Sequence, residues 1–212
     1  MTATPNRDRR RGVRRRQIVR RALITLAAVT VVVLMALADR AGLFGRPTGT
    51  DLQAYQDRVF TVVRVVDGDT FDVDHPDEVR GAPTTRIRLL GVDTPETKRP
   101  NTPVQHFGPE AFAFTRRRVA GRSVRLKLVA GDRTRGDYKR LLAYVFTEDD
   151  QMLNLRLIRE GYAYADPRWD HPRRTEFHRA MTAARKERQG LWAEATEADL
   201  PYYLRDGTYR RR

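Results

Sequence analysis

The 212-residue chain contains no cysteine. That absence excludes a disulfide framework, a thiolate metal site and a cysteine nucleophile, and it leaves the redox compartment unread. Histidine is scarce as well. The four, His75, His106, His171 and His178, show no metal-site spacing, and turn or surface positions account for them. Acids are outnumbered, 27 against 41 Lys and Arg, for a formal net charge of +14. Residues 1–21 hold nine Arg against one Asp, so eight of those charges belong to that arm and six to the remainder. A moderately basic body favours polyanions, nucleic acid and an anionic membrane face alike, and identifies neither. There is no internal repeat, and the length suits one well-buried domain with an accessory segment.

Long apolar runs are limited to one. Ala22 to Ala38 carries 17 residues without a charge, directly after the Arg-rich arm. At about 1.5 Å per residue it spans roughly 25 Å, slightly less than the ~30 Å hydrocarbon core. It exceeds the roughly 7 to 15 residues of a signal-peptide core, which favours an uncleaved transmembrane anchor, while Ala36-Leu37-Ala38 before Asp39 also fits a signal-peptidase site. Apolar residues occur all round the run, which argues against a buried amphipathic helix. The basic flank puts the N-terminus in the cytoplasm and the rest outside. The expected organisation is a basic cytoplasmic arm at 1–21, a transmembrane anchor or signal core at 22–38, a linker at 39–57, a globular domain at 58–195 and a basic tail at 196–212. The domain is thus expected to be extracytoplasmic and membrane-anchored, or secreted if the chain is cleaved after Ala38.

Within the domain, Val59 to Val66 is dense in β-branched residues and stops at Asp67-Gly68, and Thr70 to Asp74 continues as a second strand. A turn-rich insert at 75–84 precedes the alternation Arg86-Ile87-Arg88-Leu89, a third strand. Gly108-Pro109-Glu110 opens a helix with proline at its first position and an acid in its first turn, and Gly121 closes it. Val124, Leu126 and Leu128 alternate with Arg125 and Lys127, and Leu141 to Phe146 supplies a fifth strand. Asn154 is placed to cap a helix running to Gly161, and Arg174 to Gln189 reads as a longer basic helix ended by Gly190. Trp192 is expected to pack that last helix on the barrel. This order suits an α+β fold, a five-stranded OB-type β-barrel with about three packed helices, preceded by one N-terminal transmembrane or signal helix.

Two acidic knots stand out. Asp67-Gly68-Asp69-Thr70 joins two strands, and Gly91-Val92-Asp93-Thr94-Pro95-Glu96 follows the Arg-Ile-Arg strand. Each alone reads as an ordinary turn. Together they bring carboxylates to neighbouring strand ends, where mutual repulsion is relieved by a cation, and hard divalent ions prefer oxygen ligands.

The stretches VVDGDTF, IRLLGVDTPETK, HFGPEAFAFTRR and YKRLLAY occur in that order. They resemble the successive motifs of the staphylococcal thermonuclease family, over about two thirds of the chain. The resemblance implies a Ca²⁺-dependent nuclease hydrolysing phosphodiester bonds of DNA, RNA or both. Water is the nucleophile, and cleavage of the 5′ P–O bond leaves 3′-phosphate ends. It further implies that Asp69 and Asp93 are carboxylate ligands of Ca²⁺, that Thr94 adds its backbone carbonyl, and that Asp67 is a nearby acid of the metal pocket. Glu96 matches the general base, Arg88 and Arg140 the phosphate-gripping arginines, and Tyr138 a tyrosine lining the nucleotide pocket. Tyr162 and Tyr164 are the candidates for a later tyrosine pair, although the gap to Pro167 is shorter than the family's. Family members commonly carry glycine where this chain has Lys139, so a positive φ there is expected to strain the loop before Arg140. The competing reading is a catalytically impaired nucleic-acid-binding module tethered to the membrane. No obligate protein partner is expected, and the molecule is read as a monomer.

Overall fold

The computed structural model describes residues 21, 23–35, 48–97, 104–130 and 133–205. The chain divides into two units, Met1–Pro47 and Thr48–Arg212. In the first, residue 21 and residues 23–35 are helical, with Leu23, Leu26, Val32 and Leu34 exposed. Among the described residues no helix is long and apolar enough to cross a membrane. Both ends of the expected 22–38 run, the arm before residue 21, and residues 39–47 lie outside the described residues.

The second unit is built on five strands closed into a barrel. They are β1 (Val59–Asp67), β2 (Thr70–Val73), β3 (Thr85–Leu89), β5 (Ser123–Lys127) and β6 (Leu141–Phe146), in the spatial order β1-β2-β3-β6-β5. Strand β1 pairs with β2 from Val62 to Asp67 and with β5 from Val59 to Thr61, and two register shifts in its β2 half bend it so that it serves both neighbours. Only β3 and β6 run parallel. Strand β5 alternates as its sequence predicts: Val124 and Leu126 are buried, and Lys127 is exposed. Phe71, Ile87, Leu89, Leu141, Ala143 and Val145 are fully removed from solvent at the barrel centre. Burying side chains of this size contributes roughly 1.5–3 kcal/mol each for the larger ones, which makes the barrel the stable frame of the unit.

Helix α2 (Gly108–Val119) packs on β1, burying Ala111, Phe114, Thr115 and Val119 at helical spacing. Helices α3 (Leu153–Arg159) and α4 (Arg174–Lys186) pack on one another. A separate two-stranded sheet, β4 (Val92–Asp93) with β7 (Tyr164–Ala165), pairs Asp93 with Tyr164. The buried Trp192 meets Tyr164 in a T-shaped contact, with ring centres 5.6 Å apart.

Three local expectations need correction. The stretch read as a linker contains helix α1 (Thr48–Tyr55), anchored because Tyr55 is buried and its hydroxyl shares a 3.0 Å hydrogen bond with Thr85. Asn154 is not a cap, since Met152 occupies that position and Asn154 lies inside α3. Its buried amide instead accepts from the Val145 N–H at 2.9 Å and donates to the Leu90 and Ala143 carbonyls, satisfying backbone groups at the end of the barrel. Residues 196–205, expected to open the basic tail, fold as two short 3₁₀ turns with Leu200 and Tyr203 buried. The segment Tyr209–Arg212 lies outside the described residues.

Candidate active site

Asp67 and Thr70 face each other across the β1–β2 hairpin, leaving Gly68 and Asp69 as its two-residue turn. Glycine is required at 68 by proximity. A Cβ there would stand 2.8 Å from Thr94 Oγ1, so any larger residue would push the two acidic knots apart. The Gly68 carbonyl accepts a 2.6 Å hydrogen bond from Thr115 of α2, and the Thr94 N–H donates to Asp69 Oδ2 at 3.1 Å. The hairpin turn, the β4 exit and α2 are therefore stitched at one point.

Arg88 sits in β3, in register with Thr70 on one side and Leu142 on the other. Its guanidinium is largely buried and bridges the carboxylates of Asp69 and Asp93, donating to Asp93 Oδ1 at 2.8 Å. Arg140 stands at the start of β6, the strand parallel to β3, with Leu141 opposite Ile87. Its Nε donates to the Asp137 carbonyl at 3.3 Å, and its guanidinium lies 5.6 Å from the centre of the Tyr138 ring. Among the described residues no carboxylate forms an ion pair with it. Burial and the facing Arg88 charge lower its pKa, partly offset by Asp137. Two arginines facing each other, one without an acid, form a locus of uncompensated positive charge.

Asp67, Asp69, Arg88, Asp93, Thr94, Glu96, Tyr138 and Arg140 all border a single cleft of about 1240 Å³. Glu96 is held there by its backbone, whose N–H donates to Gln105 Oε1 at 2.8 Å and whose carbonyl accepts from the Gln105 N–H at 3.0 Å. Asp67 is committed to the turn, accepting from the Gly68 N–H at 2.9 Å and the Thr97 hydroxyl at 2.7 Å. Tyr138 is 85% exposed, an open aromatic face on the cleft rim. Both it and Lys139 have left-handed backbones, φ +59° and +57°, so the strain expected at Lys139 is present.

The later tyrosines part company. Tyr162 does not border the cleft; it stacks on Phe114 at 4.2 Å and meets Phe107 at 5.5 Å. Tyr164 borders the cleft but is buried, and it offers no open ring face to a ligand. The exposed tyrosine on this side of the cleft is Tyr202, from the segment expected to be a basic tail, while its neighbour Tyr203 borders the cleft with its ring buried. Tyr203 donates to Asp93 Oδ2 at 2.5 Å, and Arg168 reaches the same oxygen at 3.3 Å. Burial, then Asp93 and Asp166, raises the Tyr203 pKa, so the phenol stays protonated and donates. The sequence signal for this pair was Leu200-Pro201-Tyr202-Tyr203, an apolar cluster within the stretch expected to be a basic tail.

The donors suit a hard cation. Asp69 and Asp93 converge on one guanidinium, close enough for one positive centre to serve both, and Thr94 Oγ1 beside them is buried without a hydrogen-bond partner. Among the described residues no three His, Cys, Asp or Glu side chains form a metal-holding group.

Fold and cleft together define an α+β barrel domain with paired strand-end acids opposite two arginines. The family described as Staphylococcal nuclease homologue matches residues 86–194. The thermonuclease of Staphylococcus hyicus is 38% identical over 140 residues, covering 65% of this chain and 77% of that protein. The thermonuclease of Staphylococcus intermedius is 37% identical over 160 residues, 75% of this chain and 86% of that protein. Endonuclease YhcR of Bacillus subtilis (strain 168) is 34% identical over 155 residues, 68% of this chain and 12% of that protein. The chain belongs to the staphylococcal nuclease family.

Proposed function

We propose that the protein is a Ca²⁺-dependent nuclease that hydrolyses phosphodiester bonds in DNA, RNA or both. The observation that carries the reading is Arg140, facing Arg88 without an acid of its own in a cleft that also holds Asp69, Asp93 and Glu96. An arginine so placed is suited to an anion brought by the substrate, and a planar guanidinium fork matches phosphate oxygens. The names of the relatives, thermonuclease and endonuclease, support a nucleic-acid substrate.

In this reading Asp69, Asp93 and the Thr94 carbonyl would hold Ca²⁺, which when bound would supply positive charge against the charge that develops on the phosphate. Arg88 and Arg140 grip the remaining oxygens, where negative charge grows as the fifth bond to phosphorus forms. Glu96 takes a proton from the attacking water, whose oxygen bonds to phosphorus as the 5′ P–O bond breaks, and the departing 5′ oxygen takes a proton from solvent, leaving a 3′-phosphate and a 5′-hydroxyl. Tyr138 offers its exposed face to a base, and Tyr202 is a second exposed ring beside the cleft, 62% exposed. The Arg-rich arm and the apolar run at 22–38 support delivery to the membrane or beyond it, with the catalytic unit outside the cytoplasm.

The test is full-length protein incubated with single-stranded DNA and with RNA, in Ca²⁺ and in excess chelator. Degradation with Ca²⁺ that stops on chelation is expected. Equal rates in chelator would remove the metal from the mechanism, and folded protein that binds nucleic acid without cutting it would favour the binding-module reading. A reporter fused to the C-terminus and active only in the cytoplasm would overturn the proposed location.

A further inference from the structure

Asp93 is held from two sides by groups of different origin. Its Oδ1 receives Arg88 from the barrel at 2.8 Å, and its Oδ2 receives the Tyr203 hydroxyl at 2.5 Å with Arg168 Nη2 at 3.3 Å. Tyr203 lies 110 residues further along the chain, on the segment after α4 that borders the cleft.

That segment is built to hold its place. Thr196 and Asp199 close a reciprocal cap, Leu200 is buried in the core cluster, and the Leu204 N–H donates to the Pro201 carbonyl at 2.8 Å. Arg205 folds back to the Leu200 and Ala198 carbonyls at 2.9 and 3.0 Å. The Tyr203 ring is buried beneath the Arg168 guanidinium, 4.2 Å from its centre. Arg168 is itself fixed by the buried Asp166, through Nε to Oδ1 at 2.8 Å and Nη2 to Oδ2 at 2.7 Å. Asp166 anchors Arg168, Arg168 covers Tyr203, and Tyr203 fixes one oxygen of Asp93.

We propose that Tyr203 is a positioning residue that pins Asp93 Oδ2 against the folded C-terminal segment, so that Oδ1 alone is turned toward the cleft as a metal ligand. A carboxylate with one oxygen tied to a rigid donor cannot rotate away from the ion or swing into a two-oxygen grip. Hydrogen bonds of this kind orient metal ligands, and their loss typically weakens metal binding by about 10- to 100-fold. The inference rests on the reading of Asp93 as a Ca²⁺ ligand, and it adds a residue outside the motifs that suggested that reading.

The experiment is calorimetric titration of full-length protein with Ca²⁺, comparing the parent with Tyr203→Phe. Phenylalanine keeps the ring under Arg168 and removes only the hydroxyl. Ca²⁺ affinity is expected to fall about tenfold while the thermal midpoint and circular dichroism stay near parental values. The Ca²⁺ concentration for half-maximal nuclease activity should rise by the same factor, with kcat at saturating Ca²⁺ little changed. Parental or tighter Ca²⁺ binding by Tyr203→Phe, with a parent that binds the ion, overturns the positioning role alone. A parent that binds no Ca²⁺ overturns the metal assignment and the positioning role with it. Should Tyr203→Phe melt too readily to titrate, the Ca²⁺ concentration for half-maximal activity of the full-length variant at low temperature provides the same comparison, with the same rise expected and a parental value again overturning the role.

Discussion

Arg135 donates a 2.9 Å hydrogen bond from Nη1 to the carbonyl of Lys139, the left-handed residue immediately before Arg140. The same guanidinium bridges Asp51 of α1 and Asp77 of the β2–β3 insert through hydrogen bonds of 2.9 Å, and both acids are buried. Three segments distant in sequence thereby fix one carbonyl, and that carbonyl sets the approach of the chain to Arg140. The side chains of Asp51 and Asp77 raise the Arg135 pKa against the opposing effect of burial, so the bridge stays charged.

Replacing Arg135 with methionine would leave two buried carboxylates without their cation. Loss of one partner of a buried ion pair typically costs about 3–5 kcal/mol. Urea denaturation at neutral pH should register a loss of that order, and a loss under about 1 kcal/mol would show that the bridge is not structural.

Lys139→Gly removes the Cβ from a position at φ +57°. A left-handed backbone costs an L-residue roughly 1–2 kcal/mol, and glycine's greater freedom in the unfolded chain returns part of that gain. A net stabilisation of about 0.5–1 kcal/mol is expected, without loss of kcat because the Arg135 contact to the backbone carbonyl survives. A destabilised Lys139→Gly variant would mean that the lysine side chain itself supports the loop.

Arg140→Ala should lower kcat by about 10²- to 10³-fold and change substrate binding far less, because its charge acts mainly on the transition state. Arg140→Lys should recover little, since one ammonium cannot make the two-point contact of a guanidinium. Steady-state kinetics beside an Arg64→Ala surface control decides the matter. If Arg140→Ala keeps near-parental kcat, phosphate stabilisation lies elsewhere.

His171 adds a pH dependence to stability. It is buried against Gly91, where a Cβ would stand 2.3 Å from its Nε2, and its Nδ1 shares a 2.7 Å hydrogen bond with the Tyr144 hydroxyl. Burial, then the Arg174 charge, pushes its pKa down to about 4 from 6.5. Because the folded pKa is depressed, the unfolded chain takes up the proton first as pH falls. The contribution is intact above about pH 6.5 and is lost progressively down to about pH 4, amounting to about 2 kcal/mol between pH 7 and pH 5. Thermal midpoints across that range should fall less steeply for His171→Gln than for the parent, and parallel curves would assign the acid sensitivity to other groups.

The barrel was legible because its strands alternate or are dense in β-branched residues, and because Asp67-Gly68 and Gly108-Pro109 punctuate them. The two acidic knots and both arginines were legible through motif order, and the fold brings them to one cleft. What escaped were features set by distant partners. Helix α1 has few signals of its own and is defined by Tyr55 and Asp51 finding Thr85, Thr134 and Arg135. Asn154 resembled a cap because short polar residues favour helix starts, yet the barrel end needed its amide more. Tyr162 and Tyr164 share a motif but not an environment: one stacks on α2, the other is walled in beside Trp192. The short spacing after them gave no hint that Tyr202 and Tyr203 would reach the cleft instead.

The parallel pairing of β3 with β6 has a consequence for how the chain tolerates changes of length. Arg88 lies within the ladder that joins Ile87 to Leu141 and Leu89 to Ala143, and Arg140 precedes it by one residue. The separation of the two guanidiniums is therefore metered by backbone register rather than by any loop. One residue inserted between Arg140 and Leu141 either carries Arg140 out of reach or slips the strand and turns Leu141 and Ala143 to the wrong face. The exposed turn at Glu148–Asp150, beyond the far end of β6, lies outside that constraint. A tag or grafted loop belongs there, where added length leaves the spacing of the two arginines untouched.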